Sequence, residues 1–178
     1  MSLRYGFFLG CLVFAAVVFS SCNSDTDDTY DPTPYELQIP AGLPSMDPFI
    51  PADNQMTVEG VALGRRLFYD PILSGDDTQA CVDCHKQEDA FSDMRPFSVG
   101  IDGSVGDRNA MALINLGWNQ FGFFWDGRDA TLEEQALKPI TNPVEMNTTW
   151  PAVEAKLNSH PQYPELFKQA YDIDYIDS

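Results

Sequence analysis

Cys81-Val82-Asp83-Cys84-His85 sets two thiols three residues apart with an imidazole directly behind the second. On a helical turn, residues i and i+3 share a face, so both sulfurs can point the same way. Covalent attachment of a c-type haem needs that arrangement: two sulfurs for the vinyl groups and an adjacent histidine for the iron. Structural zinc needs four N or S ligands, and beside this triplet the chain offers only the distant His160 and two N-terminal cysteines, Cys11 and Cys22. A thioredoxin-like pair needs a βαβ setting, and no convincing alternating strand pattern occurs. The motif therefore points to a haem protein.

Outward from the motif the chain reads as mostly helical. Thr57 to Tyr69 is expected to be a helix with Val58, Val61, Ala62 and Phe68 near one face, stopped by Asp70-Pro71. Gln79 to Gln87 is expected to be helical around the cysteines, and Asp107 to Leu116 forms another candidate. Thr131-Leu132-Glu133-Glu134 matches a capping box, predicting a helix to about Lys138, ahead of Pro139. Thr149 to Asn158 and Pro164 to Tyr171 complete the set. The expected fold class is mainly α, a cytochrome c-like haem domain with long Pro- and Gly-rich loops.

The N-terminus has a different character. The apolar run Gly6 to Ser20, behind Arg4, is short for a membrane span and suits the core of an export signal. It ends in Phe19-Ser20-Ser21-Cys22, which resembles a lipobox with an imperfect first position. The expectation is a lipoprotein signal peptide over residues 1–21 with lipidation at Cys22; an ordinary signal peptide or an uncleaved anchor are the alternatives. Residues 22–36 are rich in Asp, Ser, Thr and Pro without a basic residue, as in a flexible acidic tether. The haem domain is then 37–178, in an exported, periplasmic, membrane-anchored protein.

The chain has 178 residues, with 10 Lys and Arg against 27 Asp and Glu, for a formal charge of −17. That balance argues against a nucleic-acid partner. A hydrophobic share of 44% is enough to build a core.

Haem alone does not separate an electron carrier from a catalyst. A carrier keeps two strong axial ligands, often His and Met; a catalyst leaves one face open for acid–base groups. His160, in Ser159-His160-Pro161, reads more simply as a helix-boundary residue than as a second ligand. Met94, Met111 and Met146 are either ligands or core filling.

Leu63-Gly-Arg-Arg-Leu-Phe-Tyr-Asp-Pro71, the Cys81–His85 motif, Ser98-Val-Gly100, Arg108-Asn109, Phe124-Trp-Asp-Gly-Arg128, Glu134-Gln-Ala136 and Val144-Glu-Met146 follow in that order. Together they resemble the N-terminal, peroxidatic half of bacterial di-haem cytochrome c peroxidases and their MauG-like relatives, from about Pro40 to Tyr171. The resemblance implies that Cys81, Cys84 and His85 hold the catalytic haem c. It implies that Phe124 and Trp125 are the family's aromatic pair, with the Trp between two haems. Gln135, Glu145 and Pro139 match the distal-pocket amide, carboxylate and proline, and Asn109 matches a calcium ligand between two haem domains. Read without the family, Phe124 and Trp125 are core, Gln135 an exposed helix residue and Glu145 a surface acid.

The implied activity is reduction of hydrogen peroxide with electrons from a c-type cytochrome or similar donor. The alternatives are a mono-haem electron-transfer lipoprotein, a MauG-like oxidase or a fragment without activity of its own. A homodimer is compatible with the resemblance. Two departures from the family stand out. Where many members carry a haem-capping His after the Ser-Val-Gly motif, this chain has Ile101-Asp102-Gly103. The family also has a second CxxCH domain with its own haem, and no second CxxCH follows here before Ser178; the expectation is the first half of a longer protein.

Overall fold

A computed structural model describes residues 30–43 and 48–177. The leader 1–21, the lipidation candidate Cys22 and the tether up to residue 29 lie outside the described residues. Four α-helices are present among them: α1 (Val58–Tyr69), α2 (Leu132–Thr141), α3 (Trp150–Ser159) and α4 (Tyr163–Tyr171). No helix among the described residues is long and apolar enough to cross a membrane. Among the described residues, paired β structure is limited to isolated bridges. The fold is mainly helical, as the composition and motif order lead one to expect.

α1 starts where Thr57 Oγ1 accepts from Gly60 N at 3.0 Å, and ends where Asp70 turns extended before Pro71. Its inward face differs from the expected one. Leu63 is buried and Leu67 packs beside it, while Val58 is exposed. Sequence periodicity gave several apolar residues here, and packing against α4 selects among them. Leu63, Val153, Leu157, Tyr163 and Ala170 belong to one buried cluster drawn from α1, α3 and α4. Each fully buried large apolar side chain of this kind stabilises the fold by roughly 1.5–3 kcal/mol. Tyr163, fully buried, donates from its hydroxyl to Asp70 Oδ2 at 2.7 Å, locking the C-cap of α1 to α4.

α2 forms with the expected capping box: Glu134 N donates to Thr131 Oγ1 at 3.1 Å and Thr131 N to Glu134 Oε2 at 3.3 Å. It does not stop before Pro139 but runs through it to Thr141. A proline within a helix removes one N–H, here the donor that would meet the Gln135 carbonyl. The helix continues because Ile140 is buried in the core.

Two expected helices are absent. Around the cysteines there is one 3-10 turn, Cys81–Asp83, with Asp83 Oδ2 accepting from Ala80 N at 2.8 Å. His85 N reaches Cys81 O at 3.0 Å, and the chain then turns extended at Lys86 to bridge Ser92. Residues 107–115 are irregular because their backbone bonds across to other loops: Ser98 N donates to Arg108 O at 3.0 Å and Leu113 N to Phe91 O at 3.2 Å. Apolar spacing alone cannot distinguish such a segment from a helix.

Of the expected tether, only residues 30–36 are among the described residues. From Tyr30 the chain is docked on the domain: Tyr30 Oη donates to Ala170 O at 2.5 Å, Thr33 N to Glu59 Oε2 at 3.0 Å and Tyr35 N to Met56 O at 3.0 Å. This strap ties the N-terminal end of α1 to the C-terminal end of α4.

Candidate functional site

Loops and α2 enclose a cavity of about 760 Å³ lined by Cys81, Cys84 and His85 together with Gln135, Pro139 and Glu145. The size falls within the range of cofactor and ligand pockets. Phe68, Met111, Leu113 and Met146 supply apolar wall.

His85 is held by its backbone surroundings. Its Nδ1 lies 3.1 Å from Phe91 O and 3.0 Å from Met111 O. Two carbonyls can only accept, so Nδ1 carries the proton and Nε2 keeps the free lone pair. Phe91 reaches this position through two successive left-handed residues, Ala90 at φ 58° and Phe91 at φ 55°. Strain of that kind persists where surrounding structure holds it. Burial pushes the imidazole's pKa below its ordinary value, which keeps it neutral and ready to ligate.

Burial likewise raises the thiols, Cys81 to about 11, and Cys84 also upward. Gln79, buried beside them, donates from Nε2 to Cys84 Sγ at 3.3 Å and to Val99 O at 3.2 Å. Among the described residues no group of three His, Cys, Asp or Glu side chains is placed to hold a metal ion. The set fits a haem, which brings its own four nitrogens and needs from the protein two sulfurs and one imidazole.

Also in the cavity wall, Glu145 accepts from Asn142 Nδ2 at 2.7 Å through Oε1, while Asn142 Oδ1 accepts from Val144 N at 3.1 Å. Asn142, at the C-cap of α2, therefore aims the carboxylate. Burial raises the pKa of Glu145 above the ordinary carboxylate value, opposed by the Asn142 hydrogen bond and the Arg128 charge. Gln135 is buried and lines the cavity.

The loop bearing Ile101 docks against this turn. Ile101 N donates to Glu145 O at 3.0 Å, and a side chain at Gly100 would collide with the Val144 and Glu145 carbonyl oxygens. Val99 bridges Val105, and Gly103, at φ 80°, closes the turn. Ile101 itself is not part of the cavity wall, and its Cδ1 lies against Gly75.

Phe124 and Trp125 sit in a tight turn where Phe123 N donates to Asp129 O at 2.8 Å. Phe124 is left-handed at φ 60°. Trp125 lines the cavity yet is 63% exposed, and its Nε1 donates to Asn109 O at 2.9 Å. It is thus not core. Asn109 spends its Nδ2 on Asp93 O and Arg95 O, both at 2.6 Å. It can offer one amide oxygen, too little for a calcium site by itself.

His160 is a helix-end residue: it caps α3, its ring lies tilted 4.8 Å from the Tyr163 ring, and it is outside the cavity wall. Met94 is 81% exposed and also outside. The sequence reading did not assign Gln79 or Asn142. Their signals were available: a Gln two residues before the cysteine motif, and an Asn directly after a helix.

Residues 58–178 match the family model described as di-haem cytochrome c peroxidase. The chain is 41% identical over 123 residues to cytochrome c peroxidase Ccp of Escherichia coli, covering 68% of this chain and 26% of that protein. It is 40% identical over 121 residues to the methylamine utilization protein MauG of Methylorubrum extorquens, covering 68% of this chain and 34% of the other. A solved MauG-like protein associated with microbial copper homeostasis superimposes with a TM-score of 0.70 at 35% identity, over 78% of this chain and 40% of that one. The chain thus spans about a quarter to two fifths of the length of these relatives.

Proposed function

Because this chain belongs to the di-haem cytochrome c peroxidase family, we propose that it is the part of such a protein that reduces hydrogen peroxide to water. One observation carries this reading: a histidine locked in the ligating tautomer shares a cavity with an aimed carboxylate and a buried amide.

Cys81 and Cys84 would hold the haem through thioethers, and His85 would ligate its iron through Nε2. When bound, the haem supplies the redox centre at which peroxide is reduced. Glu145 takes a proton from one peroxide oxygen and returns it to the other, making the leaving oxygen water. Two electrons and two further protons complete the reduction to a second water. Gln135 donates a hydrogen bond from its amide to orient the peroxide. Pro139 keeps the wall of α2 beside Gln135, and Phe124 packs at the cavity while exposed Trp125 stands as the relay to a second haem. Electrons would come from a c-type cytochrome or a similar donor. A calcium ion would take the Asn109 amide oxygen as one ligand and others from beyond the described residues.

The domain plan is a lipoprotein signal over 1–21, Cys22 as the lipidated residue, a short acidic tether to about Tyr30, and the haem domain beyond. It places the protein on the periplasmic side of a membrane. The electron-carrier reading keeps one specific support: Met146 is buried in the cavity wall next to Glu145. The test uses the full-length exported protein, reduced c-type cytochrome and peroxide. Oxidation of two cytochromes per peroxide supports the peroxidase; no peroxide-dependent oxidation, with haem attached, favours the carrier or an oxidase.

A further inference from the structure

The chain holds 10 basic residues against 27 acidic ones, yet two arginines, Arg108 and Arg128, line the cavity proposed for the haem. They are linked through a single carboxylate. Arg108 Nη1 donates to Asp126 Oδ2 at 2.8 Å and Arg128 Nη1 to Asp126 Oδ1 at 2.9 Å. Two guanidinium groups hydrogen-bond this one carboxylate; Asp107, also in the cavity wall, acts on Arg108 through its charge alone. Each guanidinium has five N–H donors, so donors remain for a further acceptor. Arg128 is also fixed from below, its Cζ 3.5 Å from the Phe124 ring centroid, and Phe124 is itself held in a left-handed conformation. Preorganised arginines of this kind suit planar carboxylates.

Haem brings two carboxylates of its own, the propionates, on the edge of the macrocycle opposite the vinyl groups. Such anions are costly to place in a strongly acidic protein unless cations meet them. The remaining arginine nearby, Arg95, is not suited to this. Its guanidinium is spent on Asp93, through Nε at 3.0 and 2.9 Å and Nη2 at 2.6 Å, and its charge falls on the Cys84 sulfur. It therefore belongs to the vinyl edge. We infer that Arg108 and Arg128, yoked by Asp126, form the cationic rim that receives the haem propionates and sets the macrocycle's orientation between this edge and Cys81/Cys84. The inference rests on the haem reading and adds an anion-binding subsite to it.

The test is the midpoint potential of the full-length exported holoprotein, with covalent haem checked on denaturing gels. Removing a cation beside the haem favours the ferric form. Arg108→Gln and Arg128→Gln should each shift the ferric/ferrous equilibrium at least tenfold toward ferric, about 59 mV for one electron. Asp126→Asn removes an anion and should shift it the other way. Arg128→Lys should keep most of the wild-type potential. Haem-loaded Gln variants with unchanged potentials would overturn the inference. If the Gln variants load no haem, Asp126→Asn decides: displacement away from ferric supports the rim, and an unchanged potential overturns it. Wild-type protein without covalent haem would count against the haem reading itself.

Discussion

Glu145→Gln separates proton transfer from architecture. The amide keeps the length of the side chain, and its carbonyl oxygen can still accept from Asn142 Nδ2, which meets Oε1 at 2.7 Å. What it loses is the base. Positioned acid–base groups contribute ~10²–10⁴-fold, about 2.7–5.4 kcal/mol at ~1.36 kcal/mol per decade. Loss of one neutral hydrogen bond costs about 0.5–1.5 kcal/mol, or roughly 2- to 13-fold. The two ranges do not overlap, so the size of the effect assigns the role. Gln135→Ala, which removes only an orienting donor, belongs in the smaller range.

The charge state gives a second signature. Burial raises the pKa of Glu145, so the wild-type rate falls as pH drops through that raised value, and this limb disappears in Glu145→Gln. The same shift has a stability sign. A carboxyl with a folded-state pKa above its unfolded value favours folding below the unfolded pKa, and that benefit is lost as pH rises through the folded one. At neutral pH the charged Glu145 therefore opposes folding, and Glu145→Gln should have a Tm equal to or above wild type. Stopped-flow mixing of ferric protein with excess peroxide reads the rate. A drop of less than tenfold, with the pH limb retained, would refute the proton-transfer role.

Other expectations follow from single contacts. The double variant Cys81→Ala/Cys84→Ala should show no haem-stained band on a denaturing gel; a persisting band removes the attachment assignment. Cys22→Ser should move the protein from the membrane fraction to the soluble exported fraction, because two or more acyl chains give stable membrane residence; a wild type already soluble and starting at another residue contradicts lipidation. Tyr163→Phe removes the hydrogen bond to Asp70 at 2.7 Å and should lower unfolding free energy in urea by about 1.5–3 kcal/mol, the range for a bond to a charged partner. An unchanged midpoint would show that this bond contributes nothing.

Several features could be read directly from the sequence because short-range chemistry determines them. The Thr57 and Thr131 caps, the stop at Asp70-Pro71 and the helices α3 and α4 are of this kind. The 79–87 and 107–116 segments carry helix-like spacing but are not helices, because their order comes from hydrogen bonds between loops, such as Leu113 N to Phe91 O. No local pattern encodes those. The docking of Tyr30 to Ala170 is hidden for the same reason: its partners are 140 positions apart. The cysteines and His85 are legible as a contiguous motif. Gln135 and Glu145 are polar residues whose burial becomes apparent only when α2 and the Asn142 turn close over the cavity. Arg108 and Arg128 fall in quoted motifs, but their shared partner, Asp126, emerges only from the folded turn.

In the proposed peroxidase the haem face not ligated by His85 is open and reacts with peroxide. Ile101 cannot ligate iron and is folded away against Gly75. The decisive measurement is the absorption spectrum of the resting ferric protein before and after one equivalent of hydrogen peroxide, with no reductant present. A high-spin spectrum that changes promptly as peroxide is consumed is expected. A low-spin His/Met or bis-His spectrum that ignores peroxide would contradict it.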